Sequence, residues 1–275
     1  MSRDIYNYLD DMKAFQAQNG QVIISFGGAA GTYLEAIYNE NDEFDIIDKL
    51  LQDTGCRALD FDIEGGVIGN VGQNDQRAKV ISRLQQKYPN LYVSFTLAVE
   101  APRSEWNSPG GIPKTGMDLL KNAIQNKVNI NVVNAMTMDF YMPLPAGKTW
   151  GGIACDVGEA MKLQIKSLYP TKTDAQLYSM VGLTAMIGKN DDNSIFTVED
   201  AKTFANYAKT HNIGLISFWS IQRDQTGTGD LGVYSQVNKT DFEYYKTIQN
   251  IIGTTTPPHV HPSLPLPPLL SPLQS

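Results

Sequence analysis

Six apolar, β-rich runs alternate with amphipathic stretches along the chain, and that alternation restricts the fold more than any other feature. The runs are QVIISF (21–26), ALDFDIE (58–64), LYVSFTLAV (91–99), INVVNAMTM (130–138), YSMVGLTAMI (178–187) and IGLISFWSI (213–221). Each is followed by apolar residues at helical spacing: Phe44, Ile47 and Leu51; Ile81 and Leu84; Leu120 and Ile124; Val157, Met161 and Ile165; Ala201, Phe204, Ala205 and Ala208; Tyr245, Ile248 and Ile252. A leading helix over about 4–18 carries Ile5, Leu9, Met12 and Phe15 at the same spacing. Thr197, with Asp200 three residues later, predicts the start of the fifth of these helices as a capping box.

Near-continuous apolar strands separated by helices pair in parallel and are covered by those helices. An open doubly wound sheet and a closed (β/α)8 barrel both satisfy this. The open sheet wants a glycine-rich phosphate turn; SFGGAAGTY (25–33) supplies Gly27, Gly28 and Gly31 but not GxGxxG. The barrel is the expected fold because polar and acidic residues gather at strand ends: Ser25, Asp60, Asp62, Glu64, Glu100, Asp139, Asn190, Asp191 and Asp224. Those ends form a barrel's working face.

At 275 residues and 42% hydrophobic, the chain can bury one large core, expected over residues 1–252. The rest, 253–275, holds half of the fourteen prolines and reads as a linker or disordered tail. In it, His259 and His261 read as a solvated HxH pair, and PLPP (265–268) is a short PxxP match. A net charge of -7 disfavours nucleic acid and anionic membrane surfaces as partners. No apolar stretch approaches the roughly 18–20 residues of a membrane span, and MSRDIYNYLDDMK lacks the apolar region of a signal peptide. Cys56 and Cys155 are too few for a disulfide scaffold or a zinc cluster and read as buried thiols. No metal or other cofactor is expected.

LDFDIEGG (59–66) breaks the apolar rule. Residues two apart on a strand share a face, about 6–7 Å from one another, so Asp60, Asp62 and Glu64 stack and point into the barrel. Three confined carboxyls cannot all ionise cheaply, so protons are expected to be shared and at least one pKa to rise. A carboxyl kept protonated near neutral pH is a general acid. A divalent-metal site and a solvated acidic edge strand are the alternatives; the apolar interleaving and the lack of a nearby histidine weigh against both.

LDFDIEGG also resembles the DxxDxDxE motif of glycoside hydrolase family 18, the chitinases and endo-β-N-acetylglucosaminidases. SFGG (25–28) resembles that family's SxGG motif in the substrate wall. NAMTMDF (134–140), GLTAMIGKND (182–191) and ISFWSIQRD (216–224) look like the sixth, seventh and eighth strands of a bacterial chitinase-D-like subgroup. The resemblance runs over about residues 5–252. It implies a retaining mechanism without an enzyme nucleophile, the substrate-assisted exception to the two-carboxylate scheme. Glu64 would protonate the glycosidic oxygen while the substrate's acetamido carbonyl attacks the anomeric carbon. Asp62 would orient the acetamido nitrogen, and Asp60 would hold the shared proton below it. Ser25, Gly27 and Gly28 belong to the substrate wall, Trp219 would floor the sugar, and Met136 and Asp139 would line it. Met138 stands where many members carry a hydrogen-bonding tyrosine, a bond methionine cannot make strongly, and Tyr141 is the nearby candidate to replace it. Arg57 replaces the motif's first aspartate, at what reads as the buried start of the strand.

Against the family's eightfold repeat, the chain supplies strands three to eight. The resemblance therefore implies a (β/α)8 barrel lacking its first two strands and first helix, with two unpaired edges. It further implies extracellular chitin or N-acetylglucosamine oligosaccharides as the partner. A hydrolase is favoured because position 64 is glutamate and not the Gln, Leu or Asn found when this fold serves as a lectin. A non-catalytic chitin-binding protein is the alternative.

Overall fold

A computed structural model of the chain describes residues 5–253. The proline-rich tail from 254 onward, with His259, His261 and PLPP, lies outside the described residues. In chain order the elements are α1 (Leu9–Ala17), β1 (Ile24–Gly27), α2 (Glu40–Thr54), β2 (Ala58–Ile63), α3 (Val71–Lys87), β3 (Tyr92–Ala98), α4 (Lys114–Gln125) and β4 (Val132–Thr137). Then come α5 (Trp150–Leu168), α6 (Asp174–Tyr178), β5 (Val181–Met186), a hairpin of β6 (Gly188–Lys189) and β7 (Ile195–Phe196), α7 (Val198–His211), β8 (Leu215–Trp219) and α8 (Glu243–Ile252).

β1 to β5 and β8 pair in parallel, in that order, as one curled six-stranded sheet. Five of the six expected runs contain their strand, shortened at the ends, while β1 starts later than its run and reaches one residue past it, to Gly27. The run at 178–187 loses its first residue to α6, where Thr173 and Gln176 form a capping box that the periodicity did not reveal. The capping box expected at Thr197 and Asp200 starts α7, and Asp200 Oδ1 also accepts the Gly151 N–H (2.7 Å), tying α7 to α5.

Phe26, Phe61 and Phe95 run side by side across β1, β2 and β3, with ring centroids 5.7 and 5.8 Å apart. They belong to the same buried core as Ile47 and Leu51 of α2 and Ile81 and Leu84 of α3. That layer is where apolar burial stabilises the sheet. The opposite, inner face is polar at Asp60, Ser94, Thr96 and Asn134. β1 and β8 are the sheet's two edges, and among the described residues neither pairs on its outer side. β8 is only half-buried. A cavity of about 430 Å³ runs between it and α8, lined by Ile216, Phe218, Ile221, Tyr245, Ile248 and Ile252.

Several sequence readings are corrected here. Asp224 does not face the working end: it is fully buried, and its carboxylate accepts the N–H groups of Tyr244 (3.1 Å) and Tyr245 (2.8 Å), capping α8. Arg57 is exposed, not buried, and its guanidinium lies over the Tyr88 ring at 4.8 Å. Cys155 is half-buried, and burial pushes its thiol up to about 12, which leaves it unreactive near neutral pH.

Candidate functional site

Asp60 sits at the bottom of the acid stack and is hydrogen-bonded by three hydroxyls. Ser25 Oγ donates to Oδ2 (2.7 Å), while Ser94 Oγ (2.7 Å) and Thr96 Oγ1 (2.9 Å) donate to Oδ1. The register that sets Ser25, Asp60 and Ser94 side by side on β1, β2 and β3 makes this possible. The polar chain continues across the inner face: Asn134 Nδ2 donates to Thr96 Oγ1 and Thr184 Oγ1 donates to Asn134 Oδ1, both at 3.0 Å. Burial raises the Asp60 pKa and the hydroxyls of Ser94, Ser25 and Thr96 draw it back.

Asp62, the next residue up the same face, has no such support. Its Oδ1 is buried without a hydrogen-bond partner among the described residues. Burial, then the charges of Glu64 and Asp60, lift its pKa to about 7. Glu64, one residue past the end of β2, is raised by burial and drawn down by the Ala29 N–H. The described hydrogen bonds include none between these three carboxyls. The charges of Glu64 and Asp60 act on Asp62 across the stack, and Asp62 is a carboxyl whose pKa rises as the crowding predicts.

A pH dependence follows from Asp62. Between its ordinary 3.8 and about 7 the folded chain binds the proton more tightly than the unfolded chain does, so the folded state holds more protons. Stability is present below the lower value and is lost as pH rises through the upper one, by up to ~1.4 kcal/mol per pH unit. Thermal melts are expected to show Tm falling across this window and Asp62→Asn reducing the slope. An equal slope in both proteins would contradict this origin.

SFGG explains how the loop carrying Ala29 comes back over the end of β2. Gly27 has φ +110°, and a Cβ there would lie 2.1 Å from Asp62 O. Gly28, at φ +84°, donates its N–H to that same oxygen (2.9 Å). Only glycine lets the loop turn back this closely over the end of β2.

The remaining expected residues spread over the ends of β4, β5 and β8. Trp219 ends β8, is 41% exposed, and has the Arg223 guanidinium 4.7 Å from its ring centroid. Arg223 is itself fully buried and donates to the carbonyls of Ile187 and Lys189, both at 2.7 Å. Met136 on β4 is level with Thr184 on β5, and Met136 and Met138 are both half-buried. Asp139 is occupied structurally: its Oδ1 accepts the N–H groups of Asp191 (2.8 Å) and Asp192 (3.2 Å), bracing the loop after β6. Tyr141 is 73% exposed, and its backbone N–H donates to Asp192 Oδ2. Asn190 is buried, with its amide given to the carbonyls of Met186 and Gly188, and Glu100 is exposed and bridges to Gly111.

Sequence reasoning missed Ser94, Thr96, Asn134 and Thr184. The available signal was the alternation in VSFT and VNAM, which places polar side chains on one face in register with Asp60. It also missed Tyr33, whose hydroxyl accepts the Glu64 N–H at 2.8 Å. Among the described residues no group of three or more His, Cys, Asp or Glu side chains is arranged to hold a metal ion, and no helix is long and apolar enough to cross a membrane.

No protein-family model matches the chain. It is 29% identical over 242 residues to the probable bifunctional chitinase/lysozyme of Escherichia coli K12, and 29% identical over 235 residues to endochitinase 11 of Metarhizium anisopliae. These alignments cover 82% and 80% of this chain but only 26% and 43% of those proteins. The solved catalytic domain of the hyperthermophilic chitinase from Pyrococcus furiosus superposes with a TM-score of 0.80 at 30% identity, over 92% of this chain and 81% of that one. The catalytic domain of a family GH18 chitinase from the fern Peteris ryukyuensis shares the fold, with a TM-score of 0.56 at 14% identity over 89% and 78% of the two chains. With an acid stack, glycine turn and rim that fall where the motifs resemble that family, and with this likeness across most of both chains, the protein belongs to glycoside hydrolase family 18, the chitinases.

Proposed function

We propose that the chain hydrolyses β-1,4 bonds in chitin or a related N-acetylglucosamine polymer by a retaining, substrate-assisted reaction. Glu64 donates a proton to the glycosidic oxygen as the acetamido carbonyl oxygen bonds to C1 and the C1–O bond breaks. The resulting oxazolinium is opened by water, whose proton returns to Glu64. The observation that carries this reading is the pair of raised carboxyls at the end of β2: Asp62 near pH 7 beside Glu64, with Asp62 Oδ1 unpartnered. In this reading Asp62 hydrogen-bonds the acetamido N–H and stabilises the positive charge that develops next to it, and Asp60, fixed by three hydroxyls, holds the shared proton below it.

In this reading Trp219 stacks on the sugar, Met136 and Met138 line its apolar face, and Asp139 orders the neighbouring loop. Turnover of a fluorogenic chitooligosaccharide tests the function; binding without turnover in the unaltered chain would instead make it a chitin-binding protein. We also propose that two further parallel strands, from this polypeptide or supplied in trans, close the barrel on the free edges of β1 and β8. Their addition should raise Tm and cover the apolar flank at Ile216 and Phe218. An unchanged Tm would count against closure.

A further inference from the structure

The backbone around Glu64 is held from behind by a ring of contacts separate from the acid stack. Tyr33 is buried, and its hydroxyl accepts the Glu64 N–H at 2.8 Å while lying 3.3 Å from Asp62 O and 3.5 Å from Glu64 O. The Arg77 guanidinium faces the Tyr33 ring, 5.9 Å from its centroid. Arg77 is ion-paired with Glu35, two residues beyond Tyr33, and donates to Asn74 Oδ1 (2.8 Å). Asn74 Nδ2 in turn donates to Ile68 O (2.9 Å), within the 3-10 turn Gly65–Gly69 that directly follows Glu64. The ring thus closes through Glu64, Tyr33, Arg77, Asn74 and Ile68, and Tyr33, Asn74 and Arg77 are all buried.

Resting on the reading of Glu64 as proton donor, we propose that Tyr33 is a positioning residue for Glu64, itself held by Arg77, and that this clasp pins both ends of the segment carrying the carboxyl. A glutamate side chain has three torsions, so its carboxyl is well placed only when its Cα is fixed. A buried Arg–Glu pair adds little net stability, but its geometry orients the neighbours that touch it. Gly27 belongs to the same arrangement, because a Cβ there would lie 2.7 Å from Tyr33 Cε1.

The test is Tyr33→Phe, which keeps the ring and removes the hydroxyl. Against a chitooligosaccharide, kcat is expected to fall by about 10- to 100-fold with KM unchanged, the signature of a misplaced reacting group and not of lost binding. Amide hydrogen exchange over residues 64–69 is expected to quicken. Unchanged kcat in an active parent, or unchanged exchange, overturns the proposal. Absence of turnover in the unaltered chain defeats the hydrolase reading, and exchange alone then decides the clasp. Should Tyr33→Phe fail to fold, Asn74→Ala, which breaks the ring at Ile68, is read in the same way.

Discussion

Glu64→Gln is expected to lower kcat on a chitooligosaccharide by about 10²–10⁴-fold while the protein still binds the sugar and melts no lower than the parent. Glutamine has nearly the same shape and can still accept from the Ala29 N–H that draws the Glu64 pKa down, but its amide protons are not acidic enough to pass to a leaving oxygen. Because burial disfavours the charged glutamate, replacing it with a neutral amide also removes a desolvation penalty, so stability should hold or rise. The same substitution lowers the Asp62 pKa, since Glu64 is the largest charge acting on it. Steady-state kinetics with calorimetric binding and a thermal melt separate these effects. Equal loss of binding and turnover would mean that Glu64 holds the substrate and does not protonate it.

Gly27→Ala should be strongly destabilising, and Gly28→Ala is its control. A Cβ on Gly27 would meet the Asp62 carbonyl oxygen at 2.1 Å, and that atom belongs to a central strand paired on both sides. The strand cannot yield and the loop must move, at a cost on the order of 3 kcal/mol with the positive φ included. Moving the loop withdraws the Ala29 N–H from Glu64, so activity should fall with stability. A Cβ on Gly28 meets nothing closer than Asp62 Oδ2 at 3.6 Å, leaving only the left-handed backbone cost of ~1 kcal/mol. Urea melts of the two variants give the comparison, and equal losses would refute the close-approach explanation of SFGG.

The strand-helix alternation was legible because parallel strands covered by helices need apolar residues on nearly every position of their outer face, as in Leu59, Phe61 and Ile63. The acid stack was legible for the opposite reason, since no core strand carries three carboxyls without a use for them. What stayed hidden depends on which strands lie side by side. Ser94 and Thr96 are unremarked polar residues until register sets them against Asp60. Tyr33 could not be found because its partner is the backbone of residue 64, which any sequence supplies. Asp139 and Asp224 look alike as acids near strand ends, yet one braces a loop at the rim and the other caps α8 in the interior. Only the chain's path separates them. The helix α6 was missed because five residues are too few for a helical period to emerge.

The stereochemistry of the first product tests the central claim most directly. Proton NMR of a chitooligosaccharide digest, recorded before mutarotation, reports the anomer released, and a matched glucose oligosaccharide lacking the acetamido group serves as the second substrate. The expected result is initial release of the β-anomer from the acetamido substrate and no turnover of the other, since the attacking oxygen belongs to the sugar. Initial release of the α-anomer, or comparable cleavage of the glucose oligosaccharide, would contradict the substrate-assisted role assigned to Glu64 and Asp62.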